Sequence, residues 1–182
     1  MGGQADGGRA AALARVAAYE ERLRRTPLTA LLRAVAPTRP FAAAYRRVGP
    51  RLDRFLIRRS GGRVASRLYG LPVLLLTTTG AKSGQPRTTP LVYVRDGDDF
   101  VVTGTNFGQS AHPAWTGNLL AHPAATAEIG PERLAVTAEL ADQASWDRLW
   151  PRLLEIYPGY ADYLRRRGQQ PRMFLLHPGG AE

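Results

Sequence analysis

The chain has 182 residues, 44% hydrophobic and 22% charged, which suits one domain with a sizeable core and excludes a largely disordered protein. It holds no cysteine, which excludes disulfide stapling, thiolate nucleophiles and thiolate metal sites and makes a reducing cytoplasm the default compartment. The net charge of +10 is unevenly placed: residues 1–70 carry fifteen arginines against four carboxylates, whereas residues 71–182 carry ten basic and eleven acidic groups.

In chain order, Met1–Gly8 reads as a disordered end, and Arg9–Arg25 as an Ala/Arg-rich helix with Leu13, Val16 and Leu23 on one face. No uninterrupted apolar run follows these arginines, so no secretory signal is expected, and no run approaches the roughly 20 residues of a membrane span. Thr26-Pro27 looks like a helix start, followed by Leu28, Leu31, Leu32 and Val35 at helical spacing. Pro37 and Pro40 break that pattern, and a further basic helix is expected from Pro50 to Arg59 before Gly61-Gly62.

The pattern changes at Leu71. Strands are expected over Pro72–Thr79, Thr88–Arg95 and Phe100–Thr105, with turns at Gly80–Gly84 and Asp96–Asp99. A helix follows at His112–Ala121, opened by Pro113, then a strand pair at Ala124–Ile129 and Leu134–Leu140. Gln143–Ile156 reads as a helix interrupted by Pro151, then a Tyr-rich turn, a short helix to Arg167 and a last strand at Met173–Leu176. Six short strands with hairpin-length links predict an α+β, mainly β fold: a six-stranded antiparallel barrel (71–182) with flanking helices and a basic helical N-terminal extension (1–70). The strand–helix alternation and GxGxxG of a Rossmann sheet are absent.

Three constellations could carry chemistry. The turn from Thr78 to Arg87 combines two glycines, the hydroxyl of Ser83, the chain's sole lysine at Lys82 and the guanidinium of Arg87. These are the ingredients of an anion site, and equally of a β-hairpin with solvated charges. The segment Thr105–Ser110, leading to His112, Trp115 and Asn118, puts small polar residues between a strand and a helix, where backbone N–H groups can hold a ring system. His112 could be an acid or base, but a His before Pro is read first as a helix-start residue, and Trp115 as core. Tyr157, Tyr160 and Tyr163 recur every three residues, so their phenols fall on one side, walling a pocket or packing on the barrel. The three histidines lack metal-ligand spacing, no GxSxG elbow is present, and no metal is expected.

The segments LLLTTTGAKSGQPRTTPL, HPAWTGNLLAHP and LWPRLLEIYPGYADY stand in the order of the motifs of one family. Over Leu74–Pro178 the chain closely resembles the deazaflavin (coenzyme F420)-dependent nitroreductases, a family of split β-barrels. The resemblance implies that Lys82, Ser83 and Arg87 hold the coenzyme's phosphate, with Thr89 and Pro90 along the strand. It implies that Thr105 and Asn106 approach the deazaflavin ring, that Trp115 and Asn118 lie on the cofactor side of their helix, and that Tyr157, Tyr160 and Tyr163 border the substrate pocket. Ala81 replaces the arginine of the family's GRKSG, removing one anion contact, and Val92 stands where the nitroreductase prototype has a tyrosine facing the pocket.

The implied activity is hydride transfer from the reduced deazaflavin to a planar acceptor (a quinone, enone or nitroaromatic), with Tyr157, Tyr160 and Thr105 as candidates to supply the proton or hydrogen bond. The alternatives are an FMN-binding split-barrel oxidoreductase and a non-catalytic coenzyme carrier. The expected partners are a small-molecule acceptor and, through residues 1–70, an anionic membrane surface or the coenzyme's own acidic tail. No nucleic acid is expected, and the chain is read as a cytoplasmic monomer or homodimer, peripheral at the inner face of the membrane.

Overall fold

A computed structural model describes residues 2–25 and 71–179. The elements are α1 (Gly2–Arg24), β1 (Val73–Thr79), β2 (Pro86–Asp96), β3 (Asp99–Thr103), a 3-10 turn (Asn106–Gly108), α2 (Ala114–Ala121), β4 (Ala124–Ile129), β5 (Glu132–Leu140), α3 (Gln143–Ile156), α4 (Gly159–Arg167) and β6 (Met173–Pro178). The strands close into one antiparallel barrel in the order β1-β2-β3-β6-β5-β4. The closing seam joins β1 to β4 from Leu75↔Glu128 to Thr78↔Ala125.

Period-2 alternation sorts the strand residues into two apolar clusters. Leu74, Leu76, Tyr93, Phe100, Val102, Ala127, Ile129, Leu134, Val136, Phe174 and Leu176 form one cluster with Trp115 and Leu119 of α2 and with Ala12, Leu13 and Val16 of α1. The intervening Val94, Val101 and Met173 form a second with Leu149, Trp150 and Leu153 of α3 and Tyr160 and Tyr163 of α4. The first fills the barrel, and the second lies between its outer face and the two late helices.

The topology divides the loops between two rims. The β1–β2 turn, the connection from β3 through α2 to β4, and the connection from β5 through α3 and α4 to β6 all leave from one rim. The hairpins β2–β3 and β4–β5 form the other. There α1 is seated: Arg9 pairs with Asp98 at 3.0 Å, Arg15 makes a two-pronged bridge to Glu132 at 2.7 and 2.9 Å, and the buried Tyr93 hydroxyl donates to Glu20 at 2.6 Å. The apolar face of α1 is therefore used to close the barrel end.

Several boundaries differ from expectation, among them those of β2, β5 and β6, which each run two residues longer at one end. The helix begins at Gly2 where a disordered end was expected, because a helix nucleated on the docked turns extends at one hydrogen bond per added residue. Strand β3 stops at Thr103, since Asn106 and Phe107 take left-handed φ values of 47° and 54° that no strand accepts. Helix α2 starts at Ala114, which leaves His112 in the loop before it. Helix α3 runs through Pro151 unbroken, with proline on the exposed face and the N-cap Asp142 accepting from the Ser145 N–H at 2.8 Å. The helices expected over 26–35 and 50–59 lie outside the described residues.

Candidate active site

The rim opposite α1 gathers all three constellations. At the β1–β2 turn, Gly80 N–H donates to the Gln85 carbonyl and Gly84 N–H to the Gly80 carbonyl, at 2.9 and 2.8 Å. A Cβ on Gly80 would lie 2.5 Å from the Ser83 hydroxyl and 3.1 Å from the Gln85 carbonyl oxygen and so displace that hydroxyl, and Gly84 has φ +66°, which favours glycine. Ser83 Oγ accepts from Gln85 N–H at 3.3 Å and keeps its own hydrogen to donate. Lys82 and Arg87 are exposed and have no ion-pair partner among the described residues. No carboxylate occurs in sequence from Val73 to Arg95.

Asn118 ties this turn to α2. Its side chain is buried; Nδ2 donates to Thr78 Oγ1 at 3.0 Å and Oδ1 accepts from the Ala81 N–H at 3.0 Å. Both ends of the amide are thus spent on holding the turn. Trp115, one helical turn away, is 5% exposed and packs on Phe174 with ring centroids 5.8 Å apart. On β2, Thr89 and Pro90 are half-buried neighbours that fall on opposite faces by alternation. Val92 shares the face of Val94, against which Tyr160 and Tyr163 are clustered.

The second constellation is a strained loop held from α4. Asn106, Phe107 and Gly108 have consecutive positive φ values, and the two that are not glycine cost about 1–3 kcal/mol each. Asn106 Nδ2 donates to the Ala111 carbonyl at 2.9 Å, and Thr105, 7% exposed, accepts the Gly108 N–H on its carbonyl at 2.9 Å. Arg167, buried in α4, reaches into the loop: Nη1 donates to the carbonyls of Gln109 and Ala111 at 2.8 and 3.1 Å, and Nη2 lies 2.7 Å from His112 Nδ1. Gln169 adds a bond to the Ser110 carbonyl at 2.7 Å. Burial, then the charges of Arg167 and Arg172, hold the His112 pKa below its usual value.

The tyrosines meet this loop. Phe107 stands edge-on to Tyr163 at 6.1 Å, and the Tyr157 and Tyr163 hydroxyls are 3.2 Å apart. Tyr160 is buried against Trp150 and Tyr157, and burial followed by the proximity of Tyr163 pushes its pKa upward. Tyr157 is the more accessible of the pair Tyr157 and Tyr160.

The sequence reading did not single out Arg167. A signal existed, since Tyr160, Tyr163 and Arg167 recur at i, i+3, i+7 and all three are buried on one face of α4. Within the run Arg165-Arg166-Arg167 nothing but that phase separates the buried arginine from two exposed ones.

Comparison with known proteins adds the following. The family model described as F420H(2)-dependent quinone reductase matches residues 50–176. An F420H(2)-dependent quinone reductase of Mycobacterium tuberculosis strain H37Rv is 43% identical over 103 residues, covering 55% of this chain and 69% of its own. A solved structure described as an F420-H2 dependent reductase is 31% identical with a TM-score of 0.55, over 58% of this chain and 94% of that one. Another, described as a domain-swapped dimer, has the same identity of 31% and TM-score of 0.55, over 58% of this chain and 80% of that one.

The Asn118 geometry gives an expected outcome. Asn118→Leu keeps the side-chain size but strands the Ala81 N–H and the Thr78 hydroxyl, so the unfolding free energy should fall by about 1–3 kcal/mol. Amide exchange at Ala81 and Ser83 should quicken beyond what that global loss explains. Unchanged exchange at Ala81 would mean that the turn holds itself.

Proposed function

The chain belongs to the F420H(2)-dependent quinone reductase family, and we propose that it reduces a planar organic acceptor (quinone, enone or nitroaromatic) with reduced coenzyme F420 at the rim opposite α1. The observation that carries this reading is the Gly80–Arg87 turn inside the matched span. It offers a lysine and an arginine that are exposed and unpaired among the described residues, a hydroxyl with its hydrogen available and a glycine-shaped bend, with no carboxylate near in sequence. That donor set fits the phosphate of the coenzyme's acidic tail.

Lys82, Ser83 and Arg87 then bind the phosphate, with Asn118 keeping the turn in place from behind. Thr105, Asn106, Thr89 and Pro90 are the proposed ring and strand contacts, and Trp115 supports them from the barrel interior. When bound, the reduced deazaflavin supplies a hydride from ring carbon. The protein's tasks are to hold the acceptor flat against that carbon, exclude water and satisfy the oxygen that becomes anionic. Tyr157 suits the last task best: its hydroxyl is part-exposed and bonded to Tyr163, whereas Tyr160 is buried with its phenol held neutral. Val92, Tyr157, Tyr160 and Tyr163 are the proposed acceptor side.

A homodimer is the proposed assembly, supported by the similar structure described as a domain-swapped dimer. No helix among the described residues is long and apolar enough to cross a membrane. A cytoplasmic location with a peripheral seat on an anionic bilayer is proposed from charge alone. Because α1 spends its apolar face on the barrel, that seat rests on residues 26–70, which carry ten arginines against Asp53.

Three outcomes test this reading. Fluorescence titration should show F420 binding that FMN does not compete away, and Lys82→Ala should weaken it by about ten- to a hundred-fold. Equal affinity in wild type and variant would remove the phosphate from this turn, while visible flavin in the purified protein would favour FMN. Tyr157→Phe should lower turnover of menadione more than it lowers coenzyme affinity, by about 10²-fold if the phenol supplies the proton. Wild-type turnover in that variant would leave solvent as the source, and no turnover by the wild-type protein would make it a carrier. Sedimentation with anionic liposomes should occur at low salt and vanish at high salt, and equal binding to neutral liposomes would overturn the membrane seat.

A further inference from the structure

We propose that His112 is a contact residue of the reaction site: Arg167 locks its imidazole in the Nε2–H form, and the locked ring presents a neutral donor to a carbonyl oxygen of the coenzyme ring or of the acceptor. The proposal rests on the reading of this rim as the site of reduction, but its first test does not.

The lock follows from donor arithmetic. A guanidinium carries five N–H groups and no acceptor, so the 2.7 Å contact between Arg167 Nη2 and His112 Nδ1 has one polarity: Nδ1 accepts. In a neutral imidazole the proton must then reside on Nε2. The lock is stiff because Arg167 is itself fixed, 5% exposed and bonded through Nη1 to two carbonyls of the same loop. Protonation of the ring would place a hydrogen on Nδ1 and turn the 2.7 Å contact into donor against donor. The surroundings also resist it, since the charged groups around His112 are Arg167 of α4 and Arg172 before β6, and no carboxylate pairs with it among the described residues.

The other nitrogen is open. His112 is only partly buried, and Nε2 has no hydrogen-bond partner among the described residues. An imidazole serving only to pack would not need a buried cation to choose its tautomer. The ring also sits on the segment whose Asn106 and Phe107 are held in strained left-handed conformations, the kind of strain that collects where a ligand must be met by a fixed shape. A neutral Nε2–H polarises a carbonyl and steadies the oxygen as it becomes anionic. It does not surrender its proton, because imidazolate is far too strong a base. His112 is thus a hydrogen-bond donor, and the proton for the oxygen still comes from a phenol or water.

Long-range ¹H–¹⁵N correlation spectra of the full, ligand-free chain at pH 7 read the tautomer directly, with His112→Gln identifying the signal among three histidines. The expected result is a neutral Nε2–H ring whose tautomer is lost as the pH falls and the ring charges. An Nδ1–H ring, or an imidazolium at pH 7, overturns the proposal whatever the protein binds. Two variants then find the oxygen: His112→Phe removes the donor, and His112→Gln returns an N–H near the place of Nε2. If the oxygen is the coenzyme's, Phe raises the F420 dissociation constant by about tenfold and Gln restores most of it. If it is the acceptor's, the dissociation constant holds while kcat/KM for menadione falls by about tenfold, again with recovery in Gln. A folded Phe variant with wild-type affinity and wild-type kcat/KM overturns the contact. Failure of the wild-type protein to bind F420 would sink the function proposed above and leave the tautomer result standing.

Discussion

The structure depends on the seam between β1 and β4. An antiparallel sheet of six short strands has two unpaired edges until Leu75–Thr78 meets Ala125–Glu128, and closure removes both. Closure also fixes register, because a slip by one residue would turn Leu74 and Leu76 out of the barrel and bring Leu75 and Thr77 in. Once the register is set, each strand has one face committed to the interior, and β2, β3 and β6 set their other face against the α3–α4 layer through Val94, Val101 and Met173. The two barrel ends must then be stopped by something apolar. α1 stops one through Ala12, Leu13 and Val16, and α2 the other through Trp115 and Leu119.

That division separates two demands that compete in a small protein. The α1 end is closed by ion pairs, a buried tyrosine–carboxylate bond and helical packing, and its hairpins are short. Among the described residues the α2 end carries the long connections, those from β3 to β4 and from β5 to β6, on the rim that α1 does not touch. The helical extension therefore contributes to the scaffold through its first 25 residues without crowding the proposed site. Its arginines at positions 9 and 15 are drawn into the barrel's own electrostatics, which reduces how much of the extension's charge is free for another anion.

What the sequence made legible was what is local. Strands declared themselves as short runs bounded by turn residues such as Gly80, Gly84 and Gly97, and the turn from Thr78 to Arg87 by its residue types. The tyrosines were visible as a trio at helical spacing. What stayed hidden depends on contacts across long sequence separations. Asn118 was legible only as a cofactor-side position by resemblance, and the bridge its amide makes to Thr78 and Ala81, some forty residues earlier, was not. His112 looked like a helix start until Arg167, fifty-five residues later, was found against its Nδ1. The glycine-rich end read as disordered because propensity is local, whereas the helix that includes it is held by its docked turns farther along.

The two parts of the proposed site are stabilised by opposite means. The Lys82 turn is exposed, and its cations are hydrated and screened by salt, so what it contributes is attraction over distance and affinity that weakens as ionic strength rises. The Thr105–His112 loop is partly buried, and there a guanidinium with no carboxylate partner among the described residues is stabilised by two carbonyl dipoles and the His112 ring nitrogen. A buried cation so placed costs desolvation, and two left-handed residues add backbone strain. The packing of Gly108 onto Tyr163 and the bonds from Arg167 and Gln169 offset those costs before any ligand arrives. A loop held in this way does not have to be ordered by its ligand, so the orientation of the ring and acceptor can draw on geometry already in place. In the proposed site, attraction at the exposed turn and orientation at the partly buried loop thus fall to different residues, joined through α2, whose Asn118 holds one and whose N-terminal approach through His112 and Pro113 holds the other.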